Sequence, residues 1–206
     1  MIAVLDYGIG NLRSAEKALQ YLGAPARLTA DPQQAREAAG VVLPGVGSFG
    51  PCMEALRASG LEPVVREAVA GGRPFLGICV GMQMLFDGSE ESPGVPGLGL
   101  VAGEVRRLPT SLRTPHMGWN TLDVQPGSAL LAGLPPSPWV YFVHSYAPHP
   151  ADPAVVAATT DYGGPVVAAV EEGRLWATQF HPEKSAANGL AVLANFVAAT
   201  ERASVG

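Results

Sequence analysis

The sequence predicts an α/β protein built as three layers, a mostly parallel sheet flanked by helices, with a mixed or antiparallel extension in its second half. Three observations predict it. Short apolar runs at residues 1–5, 41–43 and 74–77 lack the alternation of a half-buried strand, as strands covered on both faces do. Segments with helical spacing separate them, and strands alternating with helices imply parallel pairing. From Gly94 onward that rhythm gives way to short alternating stretches divided by Gly and Pro turns.

Residues 1–5 form the first strand, and Asp6-Tyr7-Gly8-Ile9-Gly10-Asn11 a turn. Asn11 or Ser14 starts a helix running to about Leu22, and residues 25–29 make the second strand. Asp31 and Pro32 suit the N-cap and first position of a second helix: the carboxylate accepts a free amide, and proline has no amide to lose. The third strand, 41–43, enters the loop Pro44-Gly45-Val46-Gly47-Ser48-Phe49-Gly50. Helical segments follow at 52–60 and 63–70, then a fourth strand at 74–77. The second half offers strands at 99–106, 119–124, 139–147, 155–159, 166–170 and 175–180, and a closing helix at 190–199. Without repeats or a linker, the 206 residues are expected to form one domain over 1–206.

Composition narrows the function. The chain is 48% apolar and 15% charged, which suits a folded core. A net charge of -5 without a Lys/Arg cluster argues against a nucleic-acid partner. Two cysteines make no disulfide framework, and a reactive thiol needs a reducing compartment. Neither a leader-like segment nor a run of ~18 apolar residues is seen, so a cytoplasmic protein with no membrane partner is expected.

The most informative stretch is Gly77-Ile78-Cys79-Val80-Gly81, at the passage from the fourth strand into a helical pattern. Gly-x-Cys-x-Gly at that junction is a nucleophile elbow with sulfur in place of oxygen. The turn exposes the side chain, the glycines admit backbone and substrate, and a following helix N-terminus favours thiolate. A buried cysteine is more often inert packing, and Cys52 is read that way. Far downstream a strand ends in His181-Pro182-Glu183. His181 suits a base that takes the thiol proton, and Glu183 suits a carboxylate that orients it. Alone, this would be an ordinary His-Pro turn with a solvated glutamate. The glycines of the 44–50 loop permit converging amides; Val46 or Gly47, with Val80, are the natural oxyanion donors. A phosphate cradle or a plain turn would explain that loop equally well by itself.

Taken together, Gly-Ile-Cys-Val-Gly-Met-Gln (77–83) and the distant Phe180-His181-Pro182-Glu183 resemble the triad-type, class I glutamine amidotransferases. Asp6 to Leu12, Leu43 to Gly47, Pro115-His116-Met117-Gly118-Trp119-Asn120 and His144-Ser145-Tyr146 are similar to the branch that supplies ammonia within the histidine pathway. The resemblance covers the whole chain. It implies hydrolysis of L-glutamine through a thioester on Cys79, with His181 as base and acid and Glu183 as its orienter, and no cofactor or metal. It implies a glutamine pocket of Gly45, Gly47, Gln83, Glu91, Ser145 and Tyr146, with Glu91 suited to the substrate ammonium. It implies a heterodimer with a (β/α)₈-barrel cyclase, faced by Asn11, Met117, Trp119 and Asn120. Members of this branch hydrolyse glutamine poorly until the synthase site is filled. A peptide flip in residues 44–47 would provide a physical basis for that restraint.

Three other readings compete. The glutaminase of pyridoxal phosphate synthase also works with a barrel partner, but the motifs at 6–12 and 115–120 disfavour it. A catalytically silent subunit would have no need of an intact Cys79, His181 and Glu183. A free-standing γ-glutamyl hydrolase would act alone and tolerate substituents on the amide. His144 receives no role, and His149 is read as a surface loop residue. Glu91 and Tyr146 have plain alternatives as a solvated carboxylate and a strand aromatic, and Trp119 as a core tryptophan.

Overall fold

The order of elements follows the predicted alternation through the first half. In the computed structural model, which describes residues 1–9, 12–108 and 112–203, strand β1 (Ile2–Leu5) leads to helix α1 (Leu12–Tyr21) and strand β2 (Ala26–Thr29). Helix α2 (Pro32–Arg36), strand β3 (Gly40–Gly45), helices α3 (Phe49–Ala58) and α4 (Glu62–Ala70), and strand β4 (Phe75–Cys79) follow. Asp31 accepts the Gln33 amide at 2.8 Å and Pro32 opens α2, as the capping rule requires. Ser14 lies inside α1 rather than at its start, and Asn11 lies outside the described residues. Helix α3 begins at Phe49, three residues before the expected Cys52, because its first amides find acceptors in Glu91 and Ser92.

After β4 comes a single turn, α5 (Val80–Gln83), and then shorter elements. They are β5 (Gly88–Ser89), β6 (Gly103–Arg107), β7 (His116–Thr121), β8 (Asp123–Val124), β9 (Trp139–His144), β10 (Tyr146–Pro150), β11 (Val156–Asp161), β12 (Pro165–Glu172) and β13 (Leu175–Thr178). The closing helix, α6 (Ala186–Ala203), is longer at both ends than expected. The main sheet has the order β2-β1-β3-β4-β13-β12-β11-β8. Its first five strands are parallel and the last three antiparallel, the predicted mixed extension. Strands β10-β6-β5 and β7-β9 form two small sheets.

One expected strand is two. The alternation at 139–147 is uninterrupted in sequence, but the chain changes sheets at Ser145: β9 pairs with β7, and β10 with β6. His149 accordingly lies exposed on β10, not in a loop. The buried core runs from Ile2 to Ala199, with β1, β3, β4 and β13 buried along their lengths. At the open edge of β2, side chains of α1 occupy the backbone. Glu16 accepts the Leu28 amide at 2.9 Å, and Gln20 donates to the Ala26 carbonyl at 2.9 Å.

Candidate active site

Strands β4 and β13 are neighbours in register, with Ile78 opposite Thr178. The residues that leave their carboxyl ends, Cys79 on one and Gln179 to His181 on the other, therefore meet at one sheet edge. This is where parallel α/β sheets build sites. Cys79 has φ 55° and ψ -113°, the strained elbow its bracketing glycines predict; such a backbone costs about 1–3 kcal/mol. Gly81 must lack a side chain here, since a Cβ would overlap the Leu43 carbonyl oxygen of β3.

His181 is 2% exposed, and its Nδ1 lies 2.8 Å from Glu183 Oε1. Nε2 of His181 and Oε2 of Glu183 are buried without a hydrogen-bond partner among the described residues. Burial would depress the imidazole pKa. The Cys79 sulfur and the Glu183 carboxylate outweigh it and push the value up to about 10. Nε2 is the ring atom left open to take or give a proton.

A cavity of about 480 Å³ brings together Val46, Gly47, Cys79, Val80, Gln83, Glu91, Ser145, Tyr146 and His181 of the expected residues. Gly45 does not line it; a Cβ there would stand 2.6 Å from the Gly81 amide, so its smallness serves the contact between β3 and α5. Gly47, at φ +89°, occupies the left-handed region that glycine alone adopts easily. The loop is held on two carbonyls: the Tyr7 hydroxyl donates to Pro44 O at 2.6 Å, and the Cys52 thiol to Val46 O at 3.3 Å. Cys52 is fully buried packing, as expected, and also pins the loop; burial first of all pushes its pKa up to about 11. Glu91 spends Oε2 on the Phe49 amide at 2.8 Å, a tie that the acidic turn gave no sign of.

Sequence reasoning passed over Gln179 and Lys184 and gave His144 no role. Gln179 Nε2 lies 3.7 Å from the Cys79 sulfur, and Lys184 and His144 line the cavity. His144 Nδ1 lies 2.9 Å from the Tyr146 carbonyl and its Nε2 3.2 Å from His116 Nδ1. Because the carbonyl can only accept, Nδ1 of each ring carries its proton. Burial pushes both imidazoles down to about 4, so the pair is neutral. The signal for His144 was its distance of one residue from the Ser145-Tyr146 segment; Gln179 had none beyond standing beside His181.

On the β7–β9 ribbon, paired residues share a face. Met117, Trp119 and Trp139 point outward and are 62%, 48% and 55% exposed. Asn120 is on the inner face, its amide donating to Asp161 O at 2.9 Å. Asn11 lies outside the described residues.

A sequence profile of glutamine amidotransferase class-I matches residues 3–200. The chain belongs to the class I glutamine amidotransferase family, enzymes with glutaminase activity. Among its relatives in that family are subunits of one synthase. It is 51% identical over 201 residues to the imidazole glycerol phosphate synthase subunit HisH of Microcystis aeruginosa, covering 96% of this chain and 94% of that one. It is 50% identical over 197 residues to the HisH subunit of Deinococcus radiodurans, covering 95% and 92%. The fold is shared with a crystal structure of a glutamine amidotransferase (TM-score 0.77, 24% identity, 97% and 98% covered). It is shared too with the Trypanosoma brucei CTPS glutaminase domain with bound acivicin (TM-score 0.68, 18% identity, 98% and 93% covered).

Proposed function

We propose that this chain is the glutaminase subunit of an imidazole glycerol phosphate synthase. The observation that carries the reading is a cysteine on a left-handed elbow beside a histidine whose Nδ1 is tied to a glutamate. The Cys79 sulfur attacks the side-chain carboxamide carbon of L-glutamine, and the carbonyl electrons become an oxyanion. The proton given up by the sulfur resides on His181, whose raised pKa favours that location. His181 passes it to the departing nitrogen; the C–N bond breaks, ammonia leaves and a γ-glutamyl thioester remains. Water, deprotonated by His181, then attacks the thioester, the C–S bond breaks, and glutamate is released. Glu183 keeps Nε2 aimed at the reacting atoms.

Amides of Val46 or Gly47 and of Val80 serve the oxyanion; one such donor is worth ~3 kcal/mol, or ~100-fold in rate. Substrate ammonium is met by Glu91 through Oε1, since Oε2 holds the Phe49 amide. Gln83 offers its Oε1, its Nε2 being engaged at Tyr146 and Gln179. Ammonia passes to a (β/α)₈-barrel cyclase seated on the outward face of the ribbon, where Met117 and Trp119 stand exposed. The names of the relatives and that apolar face support this partner. The assignment fits a cytoplasmic enzyme, and among the described residues no helix is long and apolar enough to cross a membrane.

The test is glutamate release from glutamine by the purified chain, alone and with the barrel cyclase plus its ribotide ligand. Strong stimulation confined to the complex is expected. A high rate alone, unmoved by the cyclase, would reject the synthase assignment in favour of a free-standing hydrolase.

A further inference from the structure

We propose that Gln179 is a positioning residue for the reaction: its side-chain amide holds the Cys79 sulfur in the thiolate form, and Gln83 fixes which end of that amide faces the sulfur. The proposal rests on Cys79 being the nucleophile. It follows from a directed chain of hydrogen bonds. The Tyr146 carbonyl can only accept, so Gln83, 3.0 Å away, must present Nε2 to it. The same Nε2 donates to Gln179 Oε1 at 3.0 Å. Gln179 therefore has one orientation available, which aims its own Nε2 at Cys79 Sγ, 3.7 Å away.

Gln179 is 0% exposed and Gln83 3% exposed, so this donor is sealed against the sulfur. A buried donor is costly unless matched, and an ionised acceptor is a stronger partner than a neutral one. Donation to the sulfur thus favours thiolate over thiol. The helix that was expected to do this, α5, is only four residues long. A side chain delivered by the neighbouring strand takes its place.

Other titratable groups stand around the sulfur. His181 is tied to Glu183, and Tyr7 and Cys52 hold the carbonyls of Pro44 and Val46 in the neighbouring loop. Glu91, His144, Tyr146 and Lys184 line the same cavity. A substitution at Gln179 leaves all of them in place, so they form a constant background. The midpoint of any titration belongs to Cys79 and His181 as a pair.

The experiment is the pH profile of iodoacetamide labelling at Cys79, read by mass spectrometry on the intact chain. Gln179→Met keeps the length of the side chain and removes the donor. Its labelling midpoint is expected to rise by about one pH unit, with kcat for glutamine in the complex down about tenfold and KM within about twofold. An unchanged midpoint in a folded Gln179→Met protein would overturn the proposal, even if turnover fell, because a merely structural residue would do that. Gln83→Met supplies the second variant, since it frees the Gln179 amide to turn. A smaller shift in the same direction is expected, and no shift would likewise count against the orientation chain. Labelling reads the sulfur directly, so failure here leaves the glutaminase reading, tested by wild-type turnover, untouched.

Discussion

The roles proposed for Cys79, His181 and Glu183 make separable predictions. Among the described residues Cys79 supplies the only sulfur that lines the cavity, so Cys79→Ala should abolish glutamine-dependent synthesis by the complex while synthesis from added ammonia persists. Loss of both would mean that Cys79 serves assembly. Glu183→Gln keeps a hydrogen-bond acceptor for the ring and should be milder than His181→Ala in kcat; equal losses would remove the orienting role. The histidines also set the pH dependence of folding. His116 and His144 fall from 6.5 to about 4 on folding, so between those values only the unfolded chain binds their protons. Stability must then decrease as pH drops from 6.5 toward 4, and the pair contributes nothing above that window. His181 runs the other way, its contribution full below pH 6.5 and lost as pH rises through about 10. His144→Gln should show a smaller loss of melting temperature between pH 7 and 4.5 than wild type; an identical loss would assign the acid sensitivity elsewhere. The elbow at Cys79 and the pairing of His181 with Glu183 were legible because elbow glycines and a His-Pro-Glu turn are local signals. Gln179 was not, because in the alternation of Trp176 to Phe180 a polar residue reads as outward-facing. It is buried because β13 lies between β4 and β12, a fact about pairing.

Among the elements, the tight corner is the packing of α5 on β3. Gly81→Ala would drive a methyl group into the Leu43 carbonyl, and ~3 kcal/mol of destabilisation is expected, measured by denaturant unfolding. Gly47→Ala differs in kind. No atom lies within 4 Å of a Cβ there, so its cost is the left-handed φ alone, about 1 kcal/mol. If the 44–47 loop is a switch, Gly47→Ala should change the ratio of activated to basal glutaminase rate; an equal reduction of both would make the loop structural. Helix α2 and the first four strands were readable from caps and apolar runs. The break at Ser145 was not, since hydrophobic period is continuous across it and the change of sheet depends on β6 and β7, both distant in sequence. The same nonlocality hid the tie between Glu91 and α3, forty-two residues apart.

At the scale of the whole molecule, the exposed face of the β7–β9 ribbon is the proposed seat of the partner. Trp119→Ala should weaken binding of the barrel cyclase by about 2 kcal/mol, roughly thirtyfold in Kd by titration calorimetry, without altering the melting temperature. Unchanged affinity would place the partner elsewhere. The edge of β2 bears on what the free subunit does while it waits. A parallel sheet that ends on an open strand is a template on which another chain can add. Here Glu16 and Gln20 already occupy the Leu28 amide and the Ala26 carbonyl, and the opposite edge, β8, is only two residues long. Strand addition to the main sheet is thereby hindered at both of its edges. Self-association of the lone subunit is then expected through the exposed side chains of Met117, Trp119 and Trp139, a contact that point substitution would erase. Two side chains of the first helix guard the β2 edge against an incoming strand.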